Sequence, residues 1–344
     1  MKTILAEVLV LLISTMSIFA QGSLTPPAEP APTMKSLDQI EARTPIDATN
    51  TPGDDNQQFI ITQPGSYYLT GNMTGVSGKN GISIQASNVT VDLNGFALIG
   101  VTGSFNGLVV SQGQTNIRVH NGSAVSWPFT AFYLQTTTGG ECDHLRASQN
   151  GGTGLNLGDN FVVNNVIANA NGDGLVTRNN CVIDHATATA NSDVGIGAGS
   201  DCVLKDCNAS GNSLVGIAVA DRCVVAHCTV ATNGPQVSIG FEGGIVANAN
   251  CQITDNAVSG NKGPGIRTAD RNNRIDSNLC VANTDYGIKS SGPIADFITR
   301  NSCENNGGAG SPTATPNYSP KSGAYFGLLT SPGNASATPW SNFE

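Results

Sequence analysis

The stretch Gly174-Leu175-Val176-Thr177-Arg178-Asn179-Asn180-Cys181-Val182-Ile183-Asp184-His185-Ala186-Thr187-Ala188-Thr189-Ala190-Asn191 decides the fold. Apolar and polar residues alternate in its opening four, again in Cys181-Val182-Ile183, and a third time in Ala186-Thr187-Ala188, with turn residues between. Period-two alternation in runs this short predicts three strands rather than a helix. The unit then repeats: Gly195-Ile196 and Gly216-Ile217 follow Gly174-Leu175 at steps of 21 residues, and Gly265-Ile266 follows Gly244-Ile245 at the same step. Gly81-Ile82, Gly107-Leu108, Gly154-Leu155 and Gly287-Ile288 extend the series, with Ala131-Phe132 as a degenerate member. Self-similarity at this period is the mark of a solenoid. A leucine-rich repeat needs several leucines and a helical segment per unit, and these units have neither. Three short strands per coil, stacked in parallel, make a β-helix, here of about ten coils.

Stacking predicts columns. Seven residues past the glycine lie Phe161, Cys181, Cys202, Cys223 and Cys251, and nine past it lie Val163, Ile183, Leu204, Val225 and Ile253. Seventeen past it lie Asn171, Asn191, Asn212, Asn233 and Asn261, and slips of one or two residues add Asn150, Asn283 and Asn306. Asparagine tolerates left-handed backbone angles, and its amide can bond to the same amide one coil away. A structural asparagine ladder is the expectation. Eleven past the glycine lie His185, Asp206, His227 and Asp255, continued by His144 and Asn165. Hydrogen bonding along that column would raise the histidine pKa values. Two histidines two coils apart are too distant to share a metal.

The repeats resemble the pectin-lyase-like right-handed β-helix superfamily. More narrowly, the chain resembles exported β-helix repeat proteins of environmental bacteria. That match rests on Met34-Lys35-Ser36-Leu37-Asp38-Gln39-Ile40-Glu41-Ala42-Arg43-Thr44-Pro45-Ile46 and Pro64-Gly65-Ser66-Tyr67-Tyr68-Leu69-Thr70-Gly71-Asn72. It rests also on Val89-Thr90-Val91-Asp92-Leu93-Asn94-Gly95-Phe96 and Pro339-Trp340-Ser341-Asn342-Phe343. The narrower group implies fold and export rather than an activity.

The ends agree with export. Lys2, the apolar run Val8 to Ile13 and the small Ala20 predict a signal peptide over 1–20, too short in its apolar part to span a bilayer. Residues 21–33 are a proline-rich linker, and 34–58 an N-terminal capping segment with a short helix from Met34, capped by Thr33. The β-helix itself is assigned to 59–306, with a C-terminal tail and cap over 307–344. Tyr325-Phe326 and Trp340 to Phe343 suit closing that end, in preference to a ligand-binding aromatic patch. Low charge (12% Asp, Glu, Lys and Arg) with a net −9 argues against nucleic acid as a partner.

Nine cysteines in an exported chain invite disulfides. Coil spacing of about 4.8 Å permits them by distance, but parallel side-chain vectors would strain them, so buried thiols are the preferred reading. No Cys-x₂-Cys pair exists to suggest zinc.

In polysaccharide-active β-helix enzymes, resemblance places substrate along the first strand of each coil. The outward positions there are Asn156, Gly158, Val176, Arg178, Gly197, Gly199, Ala218, Ala220, Val246, Asn248, Arg267, Ala269 and Lys289. None is a carboxylate, which counts against an ordinary lyase or hydrolase. Arg178, Arg267 and Lys289 are the candidate glycan contacts. Acids occur instead in the turn feeding that strand: Asp173, Asp193, Glu242 and Asp285. Asp173 and Asp193, on neighbouring coils, fall close enough for paired acid–base work or for calcium, against the plain reading that aspartate suits a turn before glycine. Asn283-Thr284-Asp285 resembles the first acidic motif of polygalacturonases and Val182-Ile183-Asp184-His185 part of a pectate-lyase motif, but their companion residues are missing. The Asp-Pro-His-Glu signature of alginate epimerases is absent. The sequence thus predicts an extracellular β-helix that binds or adheres to polysaccharide or cell-surface glycan without catalysis, with a polysaccharide lyase or hydrolase as the alternative.

Overall fold

The computed structural model describes residues 43–234, 242–292, 296–307, 317–319, 324–327, 329–330 and 340–343. Each coil carries three short strands, and each strand pairs in parallel with its counterpart one coil on: Leu175 with Ile196, Ile183 with Leu204, Ala188 with Ala209. The result is a right-handed parallel β-helix of about eleven turns, with all three sheets running its length. No helix occurs among the described residues. The capping helix expected from Met34, the signal peptide and the linker lie outside them. Thr44–Pro45 already pairs with Tyr67 and Tyr68, and at the other end Tyr318, Tyr325 and Phe343 each extend one of the three sheets.

The core is the set of inward residues. Leu175, Ile196, Ile217, Ile245 and Ile266 stack on the first sheet, and Val163, Ile183, Leu204, Val225 and Ile253 on the second, all at most 1% exposed. Burying such side chains stabilises by roughly 1.5–3 kcal/mol each.

The asparagine ladder is present and longer than the repeat alone indicates. Asn191 donates its side-chain amide to Asn212 Oδ1 at 2.8 Å, Asn212 to Asn233 at 2.9 Å, and so on from Asn150 to Asn317. The left-handed residue at this corner is not the asparagine, however. It is the one before it: Ala170, Ala190, Gly211, Thr232, Gly260 and Ala282 have φ of 54° to 65°. The asparagine instead lies buried inside the corner, bonding backbone on both sides. This explains the repeated glycine. A Cβ on Gly174 would overlap the carbonyl oxygen of Gly195 and stand 2.8 Å from Asn191 Nδ2.

All nine cysteines are unbridged and buried. They do more than fill space. The backbone N–H of Cys181 donates to Cys202 Sγ at 3.3 Å, and that of Cys202 to Cys223 Sγ at 3.4 Å. The column then changes residue type while keeping the bond: Cys251 N–H donates to Asn273 Oδ1 at 2.9 Å, and Asn273 N–H to Asp296 Oδ1 at 2.8 Å. Likewise Cys228 N–H donates to Asn256, whose ladder continues through Asn278 and Asn301 to Asn342. Sulfur is here a weak acceptor in a place that asparagine otherwise fills.

Candidate functional site

Outward side chains of the first sheet form a register column: Tyr133, Asn156, Val176, Gly197, Ala218, Val246, Arg267 and Lys289. Over its middle opens a shallow depression of about 450 Å³, walled by Val176, Gly197, Gly199, Ala218, Ala220, Asn248 and Ala269. Small side chains make it shallow and leave the sheet backbone within reach. Asp221 takes the Asn248 amide nitrogen at 2.6 Å, so the amide oxygen is the acceptor that Asn248 offers the depression. Gly158, expected to face outward here, is buried. A Cβ on it would overlap the Thr137 carbonyl oxygen, because the register of this coil slips between Leu134 and Thr138.

The candidate cations sit at the ends of this depression. Arg178 is exposed beside Val176. Arg267 and Lys289 are neighbours at the far end, about four coil rises, or roughly 19 Å, away. Lys289 Nζ is 3.2 Å from Asp285 Oδ2 and 5.3 Å from the Tyr286 ring centroid. Two residues expected to serve different roles are therefore an ion pair.

The four acids do not converge. Backbone bonds put Asp193 between Gly172 and Leu214 in its column, and Asp285 beyond Gly263 in the same column. Glu242 occupies the coil before Gly263, whose missing side chain leaves room for the Glu242 chain. Asp173 is offset by one residue: its Oδ1 accepts from the Val194 N–H at 3.2 Å and its Oδ2 faces the Thr153 hydroxyl at 3.4 Å. Asp173 and Asp193 are nonetheless close enough to interact. Partial burial, and after it the charge of Asp173, raise the Asp193 pKa above the ordinary carboxylate value. Both Asp173 oxygens thus already have protein partners.

The His/Asp column is a turn column. His144, Asn165, His185, Asp206, His227 and Asp255 all have φ of 50° to 57°, as the single left-handed residue between the second and third strands. The histidines turn mainly to the aspartate preceding them in the chain, His144 to Asp143 at 2.8 Å and His185 to Asp184 at 3.0 Å; along the stack His227 lies 4.0 Å from Asp206. Asp184, His185 and Asp206 bring ligand atoms within 4.8 Å of one another in an open turn.

Two groups escaped the sequence reading. On the second sheet, Asp92, His120 and Asp143 stand in register. Burial lowers the His120 pKa against the opposing pull of Asp92, and Arg118 Nε lies 3.2 Å from Glu141. Beside the first sheet, the exposed rings of Phe105 and Phe129 lie 5.9 Å apart and share a hollow with Tyr133, Asn80 and Asn106. The repeat breaks where they occur, so no column announces them.

No protein-family model and no curated protein sequence matches the chain. Among solved structures it is similar to the A-module of a mannuronan C-5 epimerase of Azotobacter vinelandii, at 15% identity and TM-score 0.43, over 74% of this chain and 87% of that one. It is similar also to a periplasmic alginate epimerase, at 9% and 0.45, over 77% and 83%. A third is the catalytic domain of a GH87 α-1,3-glucanase in complex with tetrasaccharides, at 13% and 0.48, over 87% and 70%. At these identities the likeness concerns the fold and assigns no residue a role. No helix among the described residues is long and apolar enough to cross a membrane.

Proposed function

We propose that this is an exported glycan-binding β-helix whose first-sheet face holds a polysaccharide or cell-surface glycan without cleaving it. The observation that carries the reading is the depression over Val176, Gly197, Ala218 and Asn248: small, open and lined by no carboxylate. Such a surface lets a sugar ring approach the backbone, where van der Waals contact and amide hydrogen bonds hold it, but supplies neither acid nor base. Arg178 and Arg267 bracket it. Tyr133 stands at the N-terminal end of the same outward column with Phe105 and Phe129 beside it, flat apolar rings that suit the faces of pyranosides.

A second reading rests on Asp193. A carboxyl whose pKa is raised beside a second carboxyl is the arrangement of a general acid and its partner, and Asp173 and Asp193 border the same coils. Incubation with pectin, alginate and xylan, with and without calcium, separates the two. The binding reading expects retention of a glycan, lost in Ala218→Trp, with no new reducing ends or unsaturated products. Product release abolished by Asp173→Ala or Asp193→Ala would establish the enzyme instead.

A further inference from the structure

A second concave surface lies on the third sheet, several coils toward the N-terminus. Its volume is about 370 Å³, and its walls are Gly95, Asn121, Gly122, Ser123, His144, Arg146, Asn165 and Ile167. Its floor is a strand column in which Ser123 pairs with Arg146 and Arg146 with Ile167. Its side is the left-handed turn column, Asn121, His144 and Asn165 with φ of 60°, 50° and 51°. That backbone conformation lifts three polar side chains along one edge of the hollow. Gly95 leaves open space at its edge, while Gly122, an inward position, lets the strand pack directly on buried Leu93.

Arg146 is the group that asks for a ligand. It is exposed, lines the hollow, and makes no hydrogen bond, ion pair or ring contact among the described residues. Several other arginines are paired, Arg118 with Glu141, Arg222 with Asp201, and Arg274 and Arg300 with Asp276, whereas Arg178 and Arg271, like Arg146, have no partner among the described residues. Asp143, which precedes the lining residue His144, is already engaged by His144 at 2.8 Å and lies 4.0 Å from Arg118. Asn121 gives its amide nitrogen to Asp92, which fixes the side chain. In a chain of net −9, this hollow pairs an uncompensated guanidinium with neutral hydrogen-bonding groups.

We propose that it is an anion site, separate from the first-sheet face, which takes a carboxylate or sulfate group carried on a larger ligand. The guanidinium fork binds two oxygens of such a group at once. Ser123 and Asn165 meet its polar surroundings, and Gly95 leaves room for the bulk that carries it. The site requires no cleavage and no metal.

The test is titration calorimetry of the full exported chain at low salt with three probes: an oligogalacturonate, dextran sulfate and unmodified dextran. Binding of either anionic probe, weakened about tenfold to a hundredfold by Arg146→Gln, is the expected result. Arg271→Gln, which removes an exposed arginine from another turn, should leave it unchanged. Carboxylate-only and sulfate-only binding each support the site and name its ligand class. No binding of either anion would overturn it, as would equal losses in the two arginine variants, which would mean diffuse charge attraction. The neutral probe and Ala218→Trp read the first-sheet face, so failure there leaves this result standing. Unaltered circular dichroism of Arg146→Gln, expected for an exposed side chain, excludes misfolding.

Discussion

Asn212 shows what a single residue of the repeat does. Its amide nitrogen donates to Ala188 O at 3.0 Å and to Asn233 Oδ1 at 2.9 Å, while its oxygen accepts from the N–H and the amide of Asn191 at 3.1 and 2.8 Å. The residue is 1% exposed, so alanine would strand those partners away from water. Each stranded buried group costs about 1–3 kcal/mol, and Asn212→Ala should lose about 3 kcal/mol in urea unfolding, whereas exposed Thr229→Ala should stay within about 0.5 kcal/mol. The cysteines offer a second check. Burial pushes the Cys142 thiol well up, and the column thiols are occupied by backbone N–H groups. The nine should resist alkylation in the native protein and all react once it is denatured without reductant. A protected pair would reveal a disulfide. These columns were legible in the sequence because every coil must solve the same packing problem with the same residue. What was not legible was the handedness of the corner. Alanine or threonine carries the positive φ at four of those six corners, where no sequence preference marks it, and glycine at only two.

At the scale of the strand, the inward face is repetitive and the outward face is not. Ile183 must match Leu204 and Val225, but Asp184 and Lys205 point outward and answer only to their neighbours. This is why the fold followed from periodicity while the candidate site did not: Phe105, Phe129, Arg118 and His120 lie in coils whose length departs from the regular step. Asp276, on a second-sheet strand, illustrates an electrostatic device of this kind. Burial pushes its carboxyl up, but Arg300 and Arg274 outweigh it and hold the pKa at about 2. Arg274 Nη2 is 2.8 Å away, and Arg300 is bidentate. A carboxyl whose folded pKa is depressed contributes stability above its unfolded pKa, and that contribution is lost as pH falls through the folded value. The stability gap between wild type and Asp276→Asn should thus be full at pH 7 and close between about pH 4 and about pH 2. Urea midpoints measured across that range check it, and a gap independent of pH would show the ion pairs to be idle.

Over the whole molecule, each coil touches chiefly its two neighbours, so stability is close to a sum of coils and interfaces. That makes a coil removable if the columns survive the cut. Deleting residues 195–215 joins Val194 to Gly216 and removes one 21-residue step. Leu175 would then stack on Ile217, Ile183 on Val225, Asn191 on Asn233 and Cys181 on Cys223, each pair already equivalent in the native stack. The shortened chain should fold, with an unchanged β circular dichroism spectrum per residue and a modestly lower melting temperature. Deleting only 195–204 should abolish folding, since every downstream side chain would leave its column and the ladder amides would lose their partners. The same deletion acts on function. It takes Gly197 and Gly199 from the first-sheet depression but leaves Ser123, Arg146 and Ile167 on their own coils. Neutral-glycan binding should therefore weaken while binding of the anionic probe persists. Losing both in a chain that still folds would mean that the two surfaces act as one continuous site.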